Sequence, residues 1–292
     1  MNFAIGLPAF NEEKNIASII LKLKPITKTI IVCDDGSSDL TGQIANELGV
    51  ITIIHEKNLG YGAAVASLFK KAKELGVDAL VTFDADGQHV MEDIKNVLEP
   101  IIENKADIVI GSRFLEKEND VPKYRKLGIK TITGVTNILT GNKITDSQSG
   151  FRAYNKKVLQ DIVLTDSGMG VSTEILIKSM KNKFRITEVP IKILYGENTS
   201  THNPVSHGSK VLLSTVKYVA IQRPLTFYGI PGLVFLSLGL FFVAWTLQAY
   251  TESHSIITNI SLIGIGGTIL GVLLLITATI LHSIVTIVGE KN

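Results

Sequence analysis

Ala79-Leu-Val-Thr-Phe-Asp-Ala-Asp-Gly-Gln-His89 decides how this chain folds. Five apolar or β-favouring residues end abruptly in two carboxylates, Asp84 and Asp86. A continuous apolar run suits a strand covered on both faces, as in parallel sheets. The same pattern recurs upstream at Phe3–Leu7, Thr29–Cys33 and Val50–Ile54, and downstream at Asp107–Gly111. Helical spacing of apolar residues fills the gaps, at Ile16–Leu23, Leu40–Leu48, Gly62–Leu75 and Ile94–Ile102. Strands alternating with crossover helices predict a doubly wound α/β sheet. Beyond it, Leu127–Leu139 and Val171–Met180 read as helices. Residues after Asp146 lead into a strand, Arg185–Leu194 reads as an edge strand, and the charged stretch Lys117–Lys126 reads as a loop.

In such sheets ligands bind beyond the carboxyl ends of the strands. The loops at those ends are Pro8–Glu12, Asp34–Asp39, His55–Gly62, Asp84–His89 and Gly111–Phe114. Polar and ionisable residues concentrate there and not at the opposite edge. Two carboxylates one residue apart repel unless a cation joins them. Hard oxygen ligands select Mg²⁺ or Mn²⁺, which binds substrate phosphates. Gln88 and His89 are further candidate ligands. No phosphate-cradling glycine loop follows the first strand, so Arg113 and Arg125 are the available cations for a phosphate. No nucleophile–histidine set stands in these loops.

The C-terminal part differs in kind. Phe227–Tyr250 and Ser255–Val288 contain no Asp, Glu, Lys or Arg. Each exceeds the roughly 20 apolar residues that cross a bilayer core. The loop between them carries no Lys or Arg, whereas Lys210, Lys217 and Arg223 precede the first run and Lys291 follows the second. The positive-inside rule then predicts a helical hairpin with both flanks and the N-terminal domain in the cytosol. Lys210–Ile221 reads as an amphipathic interfacial helix. Gly267-Thr-Ile-Leu-Gly271 is a helix-packing face, either within the hairpin or between protomers. The start of the chain has no signal-peptide pattern, and a single cysteine, Cys33, excludes an intrachain disulfide. Net charge of +2 and the lack of a basic patch give no sign of nucleic-acid binding.

Pro8-Ala-Phe-Asn-Glu12, Asp34-Asp-Gly-Ser37, Asn58-Leu-Gly-Tyr-Gly62, Asp84-Ala-Asp-Gly-Gln-His89, Gly111-Ser-Arg113 and Asp146-Ser-Gln-Ser-Gly-Phe-Arg152 occur in that order. Together they resemble the family 2 glycosyltransferases of the inverting GT-A fold, in particular membrane-anchored dolichyl-phosphate mannose and glucose synthases, archaeal N-glycosylation members among them. The resemblance spans about Met1–Leu194. It implies a cytosolic GT-A domain over residues 1–200, a juxtamembrane segment over 201–226 and two transmembrane helices over 227–289. It implies a metal-dependent, inverting hexose transfer from a nucleotide sugar of the GDP-mannose or UDP-glucose type to dolichyl or polyprenyl monophosphate at the cell or ER membrane. The alternative acceptor is a hydroxyl of a lipid-linked or surface glycan, with Asp146 as base.

By the same resemblance, Pro8, Phe10, Glu12, Val32 and Asp34 or Asp35 hold the nucleoside, and Ala85 contacts it. Asp84, Asp86 and Gln88 hold the metal and diphosphate. Arg113 and Arg125 face phosphates, and Asp146, Gln148 and Ser149 lie on the sugar–acceptor side. The segment Tyr195–Lys210 departs from the mannose-synthase pattern: it has no Arg, and His202, His207 and Lys210 are its basic residues.

Overall fold

The computed structural model describes residues 1–115, 123–141, 143–193, 220–221, 224–254 and 258–290. The chain divides into two compact units, Met1–Thr215 and Val216–Asn292.

In the first unit, seven strands form one sheet in the order β3-β2-β1-β4-β6-β5-β7. They are β1 Phe3–Ala9, β2 Thr29–Asp34, β3 Ile51–Ile54, β4 Ala79–Thr82, β5 Ile108–Ser112, β6 Arg152–Asn155 and β7 Ile186–Pro190. Only β6 runs antiparallel, paired to β4 and β5, so the sheet is mixed. Strand β7 lies at the edge, in keeping with its Pro190.

Side chains alternate faithfully between two cores. Ile5, Val32, Val81 and Val109 enter the cluster that includes residues of α1 (Glu13–Leu23) and α4 (Asp93–Ile102). Ala4, Ile31, Leu80 and Ile108 enter the opposite cluster with α3 (Tyr61–Glu74) and α7 (Val171–Lys181). This period of two on fully buried strands is why they read as unbroken apolar runs. Helix α2 is Thr41–Glu47.

The structure lengthens one expected helix and adds one short element. Helix α5, Lys123–Thr140, starts four residues before the expected helix, within the stretch taken for a charged loop. Lys and Arg are good helix formers, so a charged stretch does not by itself break a helix. Helix α6, Lys156–Asp161, is short and begins at Asn155, whose side chain accepts a hydrogen bond from the Val158 amide.

Loops at the carboxyl ends of β1 and β4 flank the point where chain order reverses. Strands β2 and β3 lie to one side of β1, and all later strands lie beyond β4. A crevice at this point is where doubly wound sheets bind ligands.

The second unit contains a π-helical turn, Leu225–Gly229, then α8, Ile230–Ser253, and α9, Thr258–Glu290. Apolar stretches Leu225–Glu252 and Thr258–Ile287 have mean hydropathy 2.1 and 2.3 and are long enough to cross a membrane. The glycine face of α9 is used within this hairpin. A Cβ on Gly271 would stand 2.7 Å from Leu236 Cα, and one on Gly267 3.2 Å from Gly239 Cα, both on α8. Close backbone approach gives the two helices extensive van der Waals contact. Gly271→Leu is expected to push the helices apart at a cost of about 1–3 kcal/mol. The full-length protein in detergent should then unfold at lower SDS than wild type; an unchanged midpoint would refute this packing. The expected interfacial helix Lys210–Ile221 and the Tyr195–Lys210 segment lie outside the described residues, apart from Ala220 and Ile221.

Candidate active site

The first two edge loops are tied together by short polar side chains. Asn11 adopts a left-handed conformation with φ 57°, which Asn tolerates better than most residues. Its Oδ1 accepts from the Ser38 amide at 2.9 Å, and its own amide donates to Ser37 Oγ at 2.9 Å. The Glu12 amide donates to Thr41 Oγ1 at 2.8 Å. The Glu12 side chain accepts from Asn15 Nδ2 at 2.9 Å. Burial pushes its pKa up; the Asn15 amide hydrogen bond opposes this, and the negative charges of Asp86, Asp39 and Asp84 add to it. Three carboxylates from two loops, Glu12, Asp84 and Asp86, therefore share one electrostatic neighbourhood.

Asp84 is gripped on both oxygens. Oδ1 accepts from the Tyr61 hydroxyl at 3.2 Å, and Oδ2 lies 3.4 Å from His89 Nε2. His89 is buried between the rings of Phe83 and Phe151, with centroids 5.3 and 5.1 Å away. Burial works against ionisation of Asp84, but His89, the Tyr61 hydroxyl and the Arg113 charge outweigh it and hold its pKa below the usual carboxylate value. Asp86 accepts from the Gln88 amide at 3.0 Å, which shapes the turn. Gly150 closes the other side. A Cβ there would meet Asp84 Oδ2 at 2.5 Å, Oδ1 at 2.6 Å and the Tyr61 hydroxyl at 2.7 Å.

Arg113, at the end of β5, binds Asp146 in bidentate fashion. Its Nε donates to Oδ2 at 2.6 Å and its Nη2 to Oδ1 at 2.7 Å, and its amide donates to Oδ2 at 3.2 Å. Asp146 is fully buried and Arg113 is 15% exposed, so water screens this pair weakly. The Asp146 turn hangs from β7. Glu188 accepts from the Thr145 and Asp146 amides at 2.8 and 2.9 Å.

Arg152 is buried and donates to the carbonyls of Ser149, Ser172 and Ser147 at 2.8, 3.2 and 2.6 Å. It thus fastens the Asp146–Gly150 loop to the start of α7. Neither Glu188 nor Arg152 was singled out as a site residue from the sequence. Neither strand marks them locally: Arg152 opens β6 and Glu188 sits in the alternating edge strand β7, so their roles depend on partners that folding supplies.

The remaining expected residues are placed as follows. Phe10 is 36% exposed at the rim, and Pro8 is buried at the end of β1. Val32 is fully buried in the sheet core, and Ala85 is 3% exposed and belongs to the same core. The fold does not bring the Val32 side chain to the rim. Asp34 accepts from the Ser37 amide at 3.0 Å. Asp35 is buried, and its carboxylate accepts from His55 Nδ1 at 2.6 Å and from the Leu59 and Gly60 amides at 3.0 and 2.8 Å. Its contacts shape the His55–Gly60 loop. Ser67 Oγ is hydrogen-bonded to the other ring nitrogen of His55 at 2.9 Å. Cys33 lies beside this group; burial and then the Asp35 charge push its thiol up to about 12, so it stays a packing residue at neutral pH. Gln148 is half-buried and Ser149 is buried. Arg125 lies on α5, and its side chain is outside the described residues. Among the described residues, no three His, Cys, Asp or Glu side chains stand close enough to hold a metal by themselves.

Residues 4–163 match the family described as glycosyl transferase family 2. The chain belongs to this family. It is a glycosyltransferase with a GT-A-like mixed sheet. A UDP-N-acetylglucosamine–dolichyl-phosphate N-acetylglucosaminyltransferase of Methanococcus voltae is 40% identical over 65% of this chain and 85% of its own. A dolichyl-phosphate hexose transferase of Haloferax volcanii is 30% identical over 76% of this chain and 96% of its own. Among solved structures, glucosyl-3-phosphoglycerate synthase of Mycobacterium tuberculosis, in complex with Mn²⁺, UDP and glucosyl-3-phosphoglycerate, superposes with a TM-score of 0.58. It is 18% identical and covers 74% of this chain and 79% of its own, a likeness of fold.

Proposed function

We propose that this glycosyltransferase moves one sugar from a nucleotide sugar to a dolichyl or polyprenyl monophosphate, with inversion at the anomeric carbon. The carrying observation is the union, in one chain, of a family 2 domain with two strongly apolar helices long enough to span a bilayer. Relatives named for dolichyl phosphate support the acceptor.

Asp84 and Asp86 are the proposed ligands of a divalent cation, with Gln88 beside them. The donor set fits Mg²⁺ or Mn²⁺: it offers carboxylates but too few protein ligands for a closed cage, and these ions complete their shell with water and substrate phosphate. Bound there, the cation would neutralise charge growing on the departing nucleoside diphosphate. Glu12 and Phe10 stand at the rim proposed for the nucleoside. Asp35 shapes the loop next to it. Arg113 supplies positive charge at the end of β5, held by Asp146.

Dolichyl phosphate has a second pKa of about 6 and is already largely ionised at neutral pH, so its attack needs no strong base. Asp146 fits that demand, since the Arg113 fork and the Arg113 amide engage its oxygens. An acceptor hydroxyl would need a free base instead. The proposed orientation puts the catalytic domain and both termini in the cytosol.

The test incubates the full-length protein in membranes with UDP-N-acetylglucosamine, UDP-glucose or GDP-mannose and dolichyl phosphate, then weighs the lipid product. One donor should yield a glycosyl phosphodiester, and EDTA should abolish it. Product formed only when a lipid-linked glycan is supplied would overturn the phosphate acceptor.

A further inference from the structure

Asn58-Leu-Gly-Tyr-Gly62 is left without a role by the chemistry proposed above. Its geometry supplies one. Tyr61 opens α3, and its hydroxyl donates to Asp84 Oδ1 at 3.2 Å. The residues on either side of it are glycines for steric reasons. Gly60 has φ 103°, outside the range of ordinary L residues. A Cβ on Gly60 would run into the Ser167 carbonyl. One on Gly62 would run into the Asp166 carbonyl and stand 2.6 Å from that of Gly168. The turn Thr165–Gly168 therefore lies directly against the backbone on both sides of Tyr61. The Ala63 amide donates to Ser167 O at 3.2 Å across this contact.

That turn is itself anchored. Glu174 of α7 is fully buried. It accepts from the Thr165 amide at 3.0 Å, from Thr165 Oγ1 at 2.5 Å and from the Asp166 amide at 2.9 Å, and pairs with Lys178 at 2.7 Å. From the other side, Asp35 holds the Leu59 and Gly60 amides. Two buried carboxylates on different elements thus fix the backbone that carries one phenol, and the phenol reaches the Asp84 carboxylate.

We infer that Tyr61 is a positioning residue for Asp84, clamped by Asp35 on one side and by the Glu174-anchored turn on the other. The inference rests on the reading of Asp84 as a cation ligand. A carboxylate with one oxygen on a phenol and the other beside an imidazole has little rotational freedom left to lose when a cation binds. Groups that orient metal ligands typically change metal affinity by roughly 10–100-fold. Glu174, which touches neither Asp84 nor Tyr61 through any described hydrogen bond, is thereby coupled to the cation.

The experiment titrates Mn²⁺ into the full-length protein with UDP or GDP present and follows free Mn²⁺ by electron paramagnetic resonance. Tyr61→Phe keeps the ring and its packing. It should raise the Mn²⁺ dissociation constant by roughly 10-fold or more, lower the thermal midpoint by no more than a few degrees, leave the acceptor KM unchanged, and regain activity at saturating Mn²⁺. Glu174→Gln should shift Mn²⁺ binding in the same direction. Wild-type Mn²⁺ affinity in Tyr61→Phe would overturn the inference while leaving the Asp84 reading intact. Failure of the wild-type protein to bind Mn²⁺ with either nucleotide would overturn both.

Discussion

Asp86→Ala is expected to abolish sugar transfer, by at least a thousand-fold, while the protein stays folded. The size follows from losing a cation worth several kcal/mol to the leaving diphosphate, at about 1.4 kcal/mol per factor of ten. Asp86 is half-buried, and its contact with the Gln88 amide lies within its own turn. A single cooperative thermal transition in Asp86→Ala would show that the domain stays folded. Asp84→Ala should be equally inactive but less stable, because the Tyr61 hydroxyl and His89 Nε2 both lose their acceptor. Calorimetry beside a lipid-product assay separates the two variants. Transfer at wild-type rate in Asp86→Ala would end the proposal that this pair holds the cation.

Gly150→Ala is expected to reduce kcat by on the order of a hundred-fold, although it adds a single methyl group. That methyl would occupy the space of both Asp84 oxygens and of the Tyr61 hydroxyl, at 2.5 to 2.7 Å. The backbone has little room to withdraw. The Gly150 carbonyl accepts from Thr82 Oγ1 at 2.6 Å, and Arg152 holds the neighbouring Ser149 carbonyl at 2.8 Å. The Asp84 carboxylate must rotate instead, off its partners and out of register with Asp86. Overpacking of this kind costs about 1–3 kcal/mol, so a modest fall in melting temperature should accompany the loss of rate. Steady-state kinetics on purified protein would show the effect in kcat. A variant with normal kcat would mean that Asp84 does not act from its observed position.

Much of the fold was legible because burial on both faces leaves a strong trace. Five strands read as apolar runs, and each was found within a residue or two of its expected place. The two apolar helices were legible for a related reason, since a run long enough to cross a membrane stands out by its lack of charge. Expectation failed where a local signal misleads: α5 begins among charges that suggested a loop, and α6 is too short to show periodicity.

Site residues separate along the same line. Asp84, Asp86, Glu12 and Arg113 stand out because the sequence places charge at the end of an apolar strand or at the start of the loop after one. Tyr61, Gly150, Arg152, Glu174 and Glu188 carry no such mark as site residues. Their importance comes from partners 23 to 89 positions away for Tyr61 and Gly150 with Asp84 and each other, and from turns held by buried charge for the rest. Asp35 shows the limit most clearly. Its sequence neighbourhood pairs it with Asp34 at a ligand edge, whereas the fold surrounds it with His55 and two backbone amides. Sequence alone determined the sheet, the acidic edge and the apolar helical hairpin, because hydrophobic periodicity and charge are properties of neighbouring residues. Tertiary structure decided which carboxylates meet one another and which brace backbone turns, because hydrogen-bond partners and steric contact depend on segments that only folding brings together.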